Sequence, residues 1–294
     1  MTNWTDRLAI VSDEIDDSFA EAARLGRSLG IRAYELRALA GRRFPDVSER
    51  ALQEVADTAA ELDLDLIGVS PGFFKGPLDA ADIAQTFETR LPTAFRLMQR
   101  LEIRRMTLFS FRRESRSEAI PAAIYDHLGR AIELCASEGI EVLLENVSSI
   151  YADTGANLAS IARTLGVKVA WDPANAAASG EKAYPAGYDA ARDLIAHVHF
   201  KNWTAEAGWV AINDGVVDLA GQVAALQAAN YDGYYCLEPH QWQDRRKSAR
   251  QNAAQLLSLL RAKRPGYCRG EPVARPLIEY GDAKGRARPG SRRH

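Results

Sequence analysis

Cysteine is scarce in this chain: Cys135, Cys236 and Cys268 are its three, widely spaced and with no CxxC pair. Such usage implies no disulfide framework and reads as reduced thiols in a cytoplasmic protein. Long apolar runs are missing too. No window approaches the ~18 consecutive apolar residues of a membrane span, and the opening MTNWTDRLAI has neither the basic run nor the apolar stretch of a targeting segment. There is also no surplus of positive charge. With 37 Lys and Arg against 39 Asp and Glu the formal charge is −2, so no long-range field favours nucleic acid or an anionic membrane, and small-molecule partners are expected.

What is present is the composition of a globular enzyme, 47% hydrophobic and 26% charged, which excludes a disordered or fibrous chain. Short runs rich in Val, Ile, Leu and aromatics alternate with longer segments of helical period. The runs are Leu8–Val11, Ala33–Leu36, Leu64–Val69, Met106–Phe111, Val142–Val147, Val167–Trp171, Ile195–Phe200 and Tyr234–Leu237. Helices are expected within Asp16–Leu29 and over about 51–62, 82–101, 118–137, 156–165, 187–194, 217–229 and 244–262. Repeated βα units of this number predict an α/β chain folded as a single (β/α)8 TIM barrel over residues 1–263. From Arg264 to His294 the rhythm breaks into prolines, glycines and arginines, so an irregular C-terminal tail is expected there.

In a parallel barrel the carboxyl ends of the strands face the active site, so the polar residues that close each apolar run carry the information. Four consecutive strands end in metal-ligand types: Glu145 and Asn146, Asp172 and Asn175, His197 and His199 with Lys201, and Glu238 with His240. A lone carboxylate at a strand end is commonly a surface residue or a helix cap. Three carboxylates behind strongly apolar runs, on neighbouring strands, would repel one another in a dry pocket unless a divalent cation joined them. Glu145, Asp172, His199 and Glu238 are therefore the expected metal ligands. Their O and N donors suit Mn²⁺, Mg²⁺, Co²⁺ or Fe²⁺ better than a thiolate zinc site, and four ligands leave up to two octahedral positions for substrate oxygens. His197 and His199, two apart, share a strand face, and His199 lies nearer the mouth. His197 is expected as a buried, hydrogen-bonded neighbour.

The strings SDEID, ELR, LLEN, WDPAN, HVHFKN and LEPH, in this order over about residues 8–260, resemble the sugar phosphate isomerase/epimerase superfamily of xylose isomerase-like TIM barrels. The resemblance implies one divalent metal ion, Mn²⁺ first and Mg²⁺, Co²⁺, Fe²⁺ or Zn²⁺ as alternatives, on Glu145, Asp172, His199 and Glu238. It also implies that Glu145 and Glu238 act as paired acid and base. The implied activity is that of a sugar or keto-sugar isomerase or epimerase working through a metal-stabilised enediolate. A lyase or dehydratase acting on a keto-sugar or keto-polyol shares the first step and is the alternative. A sugar-binding barrel without turnover stands further off.

Asn175 stands where sugar epimerases of this group commonly place a histidine, and an amide cannot shuttle a proton at neutral pH. Around the mouth, Glu35, Phe73, Arg112, Asn175, Lys201 and Trp203 are expected to touch substrate. Phe73 and Trp203, with their neighbours Phe74 and Trp209, can stack on the apolar face of a sugar. Arg112, Arg113 and Lys201 can hold a phosphate or carboxylate, although ordinary salt bridges are expected for at least two of them. Glu35 and Arg37 can bind substrate hydroxyls or each other. A multinuclear phosphodiesterase on a related barrel would need histidines on the early strands, and these strands have none. Association into a homo-oligomer is compatible with the chain, but no interface can be drawn from it.

Overall fold

The computed structural model describes residues 4–115 and 119–262; the 264–294 tail and Cys268 lie outside this range. The chain builds strands β1 (Leu8–Val11), β2 (Ala33–Leu36), β3 (Ala38–Leu39), β4 (Arg42–Arg43), β5 (Asp65–Val69) and β6 (Arg105–Leu108). There follow β7 (Glu141–Glu145), β8 (Lys168–Trp171), β9 (Ile195–Phe200), β10 (Asn202–Thr204), β11 (Gly208–Val210) and β12 (Tyr235–Leu237). Eight of these close a parallel barrel in the order β1-β12-β9-β8-β7-β6-β5-β2. Every one of the eight apolar runs contributes a barrel strand.

Helices α1 (Phe19–Ser28), α2 (Glu49–Leu62), α3 (Ala80–Gln85), α4 (Leu91–Arg100) and α5 (Ala122–Ser137) come from the first half of the chain. The second half supplies α6 (Gly155–Leu165), α7 (Pro173–Ala178), α8 (Tyr188–Ala191), α9 (Leu219–Ala228) and α10 (Arg245–Arg261). Their starts follow local chemistry. Ser18, Ser48, Asp79, Thr154, Asp218 and Asp244 each accept a backbone N–H of the first turn that has no partner within the helix.

Strand alternation sorts the core into two clusters. Leu8, Ile10, Tyr34, Leu36, Tyr235 and Leu237 pack outward into the large cluster shared with the helices. Ala9, Val11, Ala33 and Cys236 form a separate small cluster with Ile67 and Tyr234 packed against it. The inward set continues in register toward the carboxyl ends: Val11 pairs with Glu35, Ala9 and His199 with Cys236, and Ala170 with both Glu145 and His197. The same two-residue period that makes the lower barrel apolar therefore aims Glu35, Glu145, Asp172, His199 and Glu238 into its upper end.

The differences from the sequence expectation have local causes. The run Met106–Phe111 leaves the barrel after Leu108, because Phe109 N and Phe111 N donate to Phe73 O and Phe74 O at 3.1 and 2.6 Å. The helix expected over 82–101 is split by a π turn at Thr86–Arg90, and Pro92, with no amide proton, falls in the first turn of α4. Two hairpins, β3-β4 and β10-β11, stand outside the barrel sheet. The first turns through Ala40 and Gly41, both at positive φ, which is the mirror-image turn that suits strand twist.

Candidate metal centre and active site

Glu145 ends β7, Asp172 follows β8, His199 lies in β9 and Glu238 follows β12. One ligand atom from each of the four falls within 4.8 Å of the others, and all four residues are buried. His199 Nδ1 lies 3.2 Å from Glu145 Oε1 and 3.5 Å from Glu238 Oε2. Its other nitrogen, Nε2, is hydrogen-bonded to Glu35 Oε2 at 3.0 Å, and His197 Nε2 approaches the same oxygen at 3.1 Å. Burial alone would raise the Glu35 carboxyl, but the imidazoles of His199 and His197 outweigh it and hold the group below the usual carboxylate range. Burial opposes charge on His199 as well, and there the carboxylates of Glu35, Glu145 and Glu238 prevail and raise its pKa. Glu35 is thus a support beneath the imidazole, and it is not among the residues that line the cavity, where substrate contact was expected of it.

Asp172 combines two roles that the sequence offered as alternatives. Oδ1 caps α7 by accepting from Asn175 N at 2.9 Å, while Oδ2 pairs with Lys201 Nζ. The backbone around it is fixed by Asn146, whose amide donates to Asp172 O and accepts from Asp172 N, both at 2.8 Å. Asn175 Nδ2 donates to Asn146 O at 2.9 Å, so this asparagine is tied into the rim. Lys201 is fully buried and also reaches Glu238 Oε2 at 2.6 Å. Burial disfavours its charge, but Asp172, Glu238 and Glu145 reverse that and raise its pKa. The expected anion-binding lysine is an internal counter-ion of the carboxylate cluster.

Arg37 supplies the second buried cation. Its guanidinium reaches Asp13 Oδ2, Glu14 Oε1, Glu238 Oε1 and His240 Nε2 at 2.7 to 3.1 Å, and it makes no bond to Glu35. Burial also raises the Glu238 carboxyl, yet His240, Lys201 and His199 more than compensate and hold it well below its ordinary value.

The donor set fits a hard divalent cation. Asp13, Glu14, Glu35, Glu145, Asp172 and Glu238 are six buried carboxylates, faced by Arg37 and Lys201 as buried non-histidine cations. Positive charge is in deficit where an imidazole nitrogen and three carboxylates converge.

Above the cluster lies a cavity of about 370 Å³, in the range of small-molecule sites. Of the four converging residues only Glu145 and Glu238 line it, together with Asp13, Arg37, Arg43, Ser70, Lys75, Phe109, Val147, Asn175, Trp209, His240 and Trp242. Of the six expected substrate contacts only Asn175 is in its wall; Glu35 and Lys201 are buried away from it, and Phe73, Trp203 and Arg112 are absent too. Phe73 is 4% exposed and packed in the large core. Trp203 packs against that core as well, and its hairpin partner Trp209 takes the place at the mouth, 5.2 Å from Lys201 Nζ. Arg112 is exposed beyond the barrel rim, where its backbone bridges to Ile150, while Arg113 is paired with Asp153 at 2.5 Å. Periodicity missed Arg43 because a two-residue strand shows no period. The Ala40-Gly41 step was the available signal.

A closed (β/α)8 barrel with a buried carboxylate and histidine cluster at the carboxyl end of its strands defines the class of this protein. Residues 22–263 match the model of the xylose isomerase-like TIM barrel family, and the chain belongs to that family. Among solved structures it is similar to a probable 3-DHS dehydratase of petrobactin synthesis from Bacillus anthracis. Identity there is 16%, the match covers 85% of this chain and 98% of that one, and the TM-score is 0.69. An L-ribulose 3-epimerase matches at 19% identity over 88% and 99% of the two chains, with a TM-score of 0.65. A xylose isomerase domain protein from Salmonella typhimurium matches at 18% over 88% and 99%, with a TM-score of 0.67. Comparison with curated proteins returns no sequence match. No helix among the described residues is long and apolar enough to cross a membrane.

Proposed function

We propose that this protein is a divalent-metal-dependent isomerase or epimerase of a sugar or keto-sugar, with Glu145 and Glu238 as its acid and base. The observation that carries the reading is the division of the cluster: Glu145 and Glu238 line the cavity, whereas Asp172 and His199 lie beneath it at 0% and 1% exposure. Two carboxylates that bound metal only would need no access to substrate.

Glu145, Asp172, His199 through Nδ1, and Glu238 would hold the ion, with Mn²⁺ the first expectation. A bound divalent cation supplies electrostatic stabilisation for the charge that develops on substrate oxygen as a neighbouring carbon loses its proton. Glu238 lines the cavity and is held in its ionised form, the one that can accept a proton, by His240, Lys201 and His199. Glu145 hydrogen-bonds His199 through Oε1 and reaches the same cavity from β7, so a proton can return from a second direction. Arg37 and Lys201 fix both oxygens of Glu238, which keeps its geometry constant through the proton transfer. Trp209 and Trp242 line the cavity and offer ring faces on which a sugar can stack.

Asn175 favours the dehydratase or lyase alternative as the second reading. It lines the cavity where a proton shuttle would stand, and its amide is committed to Asn146 O. The product separates the two. The buried free thiols Cys135 and Cys236 accord with a cytoplasmic enzyme.

The test is proton NMR in deuterium oxide on a panel of ketoses, aldoses and keto-polyols, with metal-stripped and Mn²⁺-reconstituted protein. Mn²⁺-dependent exchange of a carbon-bound proton is expected, and the position exchanged and the product formed distinguish epimerase, isomerase and dehydratase. Verified metal with no exchange across the panel overturns the reading.

A further inference from the structure

We propose that the cavity selects substrates with an anionic group, carboxylate or phosphate, remote from the reacting carbonyl, and that Arg43 and Lys75 bind that group. The inference rests on the reading of the site given above and names the class of substrate it takes.

The two cations come from neighbouring strands on one arc of the rim. Arg43 closes the β3-β4 hairpin that follows β2, and Lys75 lies in the segment after β5, next to β2 in the barrel. The carboxylate cluster occupies β7, β8, β9 and β12, which form a different arc. Both arcs line one cavity: Arg43, Ser70, Lys75 and Phe109 share it with Glu145 and Glu238. A molecule bridging them would present its carbonyl end to the carboxylates and its other end to the cations.

Arg43 is built into place. Its Nε donates to Pro71 O at 3.2 Å and its Nη2 to Ser70 O at 2.9 Å. Gly72 makes room for the guanidinium: a Cβ there would stand 3.1 Å from Nη2 and 3.4 Å from Cζ, at a backbone φ of +81°. Lys75 Nζ sits 4.7 Å from the centre of the Phe109 ring, which positions the ammonium without neutralising it. Neither cation has a carboxylate within ion-pair distance among the described residues. The acidic groups nearby are committed elsewhere, Asp13 to Arg37, Glu238 to Arg37 and Lys201, and Glu145 to His199.

Two cations so placed are poorly matched to a neutral sugar. Both side chains are exposed at the rim. Loss of part of their water disfavours charge on both; Glu145 and Glu238, and Asp13 for Arg43, offset part of that, while Arg37 for Arg43, and Arg43 and Lys201 for Lys75, add to it. The pKa of each is lowered as a result. An anion between them relieves both effects at once, and the planar guanidinium suits the paired oxygens of a carboxylate or phosphate.

The test uses the Mn²⁺-loaded full chain and three ligands with one skeleton: L-sorbose, 5-keto-D-gluconate, which carries a carboxylate in place of the terminal hydroxymethyl, and L-sorbose 6-phosphate. Affinities are read by calorimetry, with inorganic phosphate as a separate probe. At least one of the two charged sugars is expected to bind roughly 10- to 100-fold more tightly than L-sorbose, the range of a charge-assisted contact. The double variant R43Q/K75Q, checked for Mn²⁺ stoichiometry, should bring that ligand down to the L-sorbose level and abolish phosphate binding. A larger effect on the carboxylate or on the phosphate identifies which anion the site takes. Charged sugars that bind no better than L-sorbose, or a preference that survives the double substitution, overturn the proposal. Its failure is separable from failure of the isomerase reading, which is judged by Mn²⁺-dependent proton exchange.

Discussion

His199 Nε2 lies 3.0 Å from Glu35 Oε2, and this bond turns the other imidazole nitrogen toward Glu145 and Glu238. Glu35 comes from β2, across the barrel from β9, so a carboxylate outside the proposed ligand set orients the only imidazole in it. Supports of this kind fix the tautomer and raise the basicity of the nitrogen that faces the ion.

Replacing Glu35→Gln should therefore weaken Mn²⁺ binding by about 10- to 100-fold, the usual effect of losing a carboxylate behind a metal-binding histidine. Electron paramagnetic resonance titration of free Mn²⁺ measures it. Unchanged affinity would show that Glu35 only fills the barrel.

Lys201 is the internal counter-ion of Asp172 and Glu238. Removing one partner of a buried ion network costs about 3–5 kcal/mol, so Lys201→Met should destabilise the metal-free protein by that order in urea unfolding. A divalent ion restores the missing positive charge. The gain in melting temperature on adding Mn²⁺ should be larger for the variant than for the natural protein, and an equal gain would remove Lys201 from the charge balance of the site.

Glu145→Gln and Glu238→Gln keep the shape of the cavity while removing a titrating carboxylate. Each should lower the rate of carbon-bound proton exchange by roughly 10²- to 10⁴-fold, the range of general acid and base catalysis. The measurement is made at metal saturation, because both residues are also expected ligands. Natural rates in both variants would sink the acid and base assignment.

Two glycines test the frame around the site with opposite signs. A Cβ on Gly155, at the start of α6, would stand 2.1 Å from Gly187 O, so Gly155→Ala should destabilise the fold by about 1–3 kcal/mol. Gly129 lies within α5 and a Cβ there meets nothing within 4 Å, so Gly129→Ala should stabilise by about 0.5–1 kcal/mol. Urea midpoints report both. A stabilising Gly155→Ala would contradict the packing of α6 on the segment before α8.

Much of the barrel and the composition of its centre were legible in the sequence, because both follow from a local rule. A residue's place in a strand decides whether it points inward, and the polar residue that closes an apolar run falls at the mouth. Glu145, Asp172, His199 and Glu238 needed no distant information to be grouped. The substrate wall was less legible. Phe73, Arg112 and Trp203 follow strand ends in the sequence, yet none of them lines the cavity, since loops and hairpins lack a fixed period, and Glu35 and Lys201 are spent inside the carboxylate cluster.

By itself the sequence determined the number of βα units, the helix caps and the residue types brought to one rim, all set within a few residues of chain. Only the tertiary structure decided which charge meets which. Arg37 reaches Glu238 across 201 positions, His199 reaches Glu35 across 164, and Arg43 shares a cavity with Lys75. Ion pairing depends on separation in space, and closure of the barrel is what brings its first and last strands, and the groups they carry, to one point.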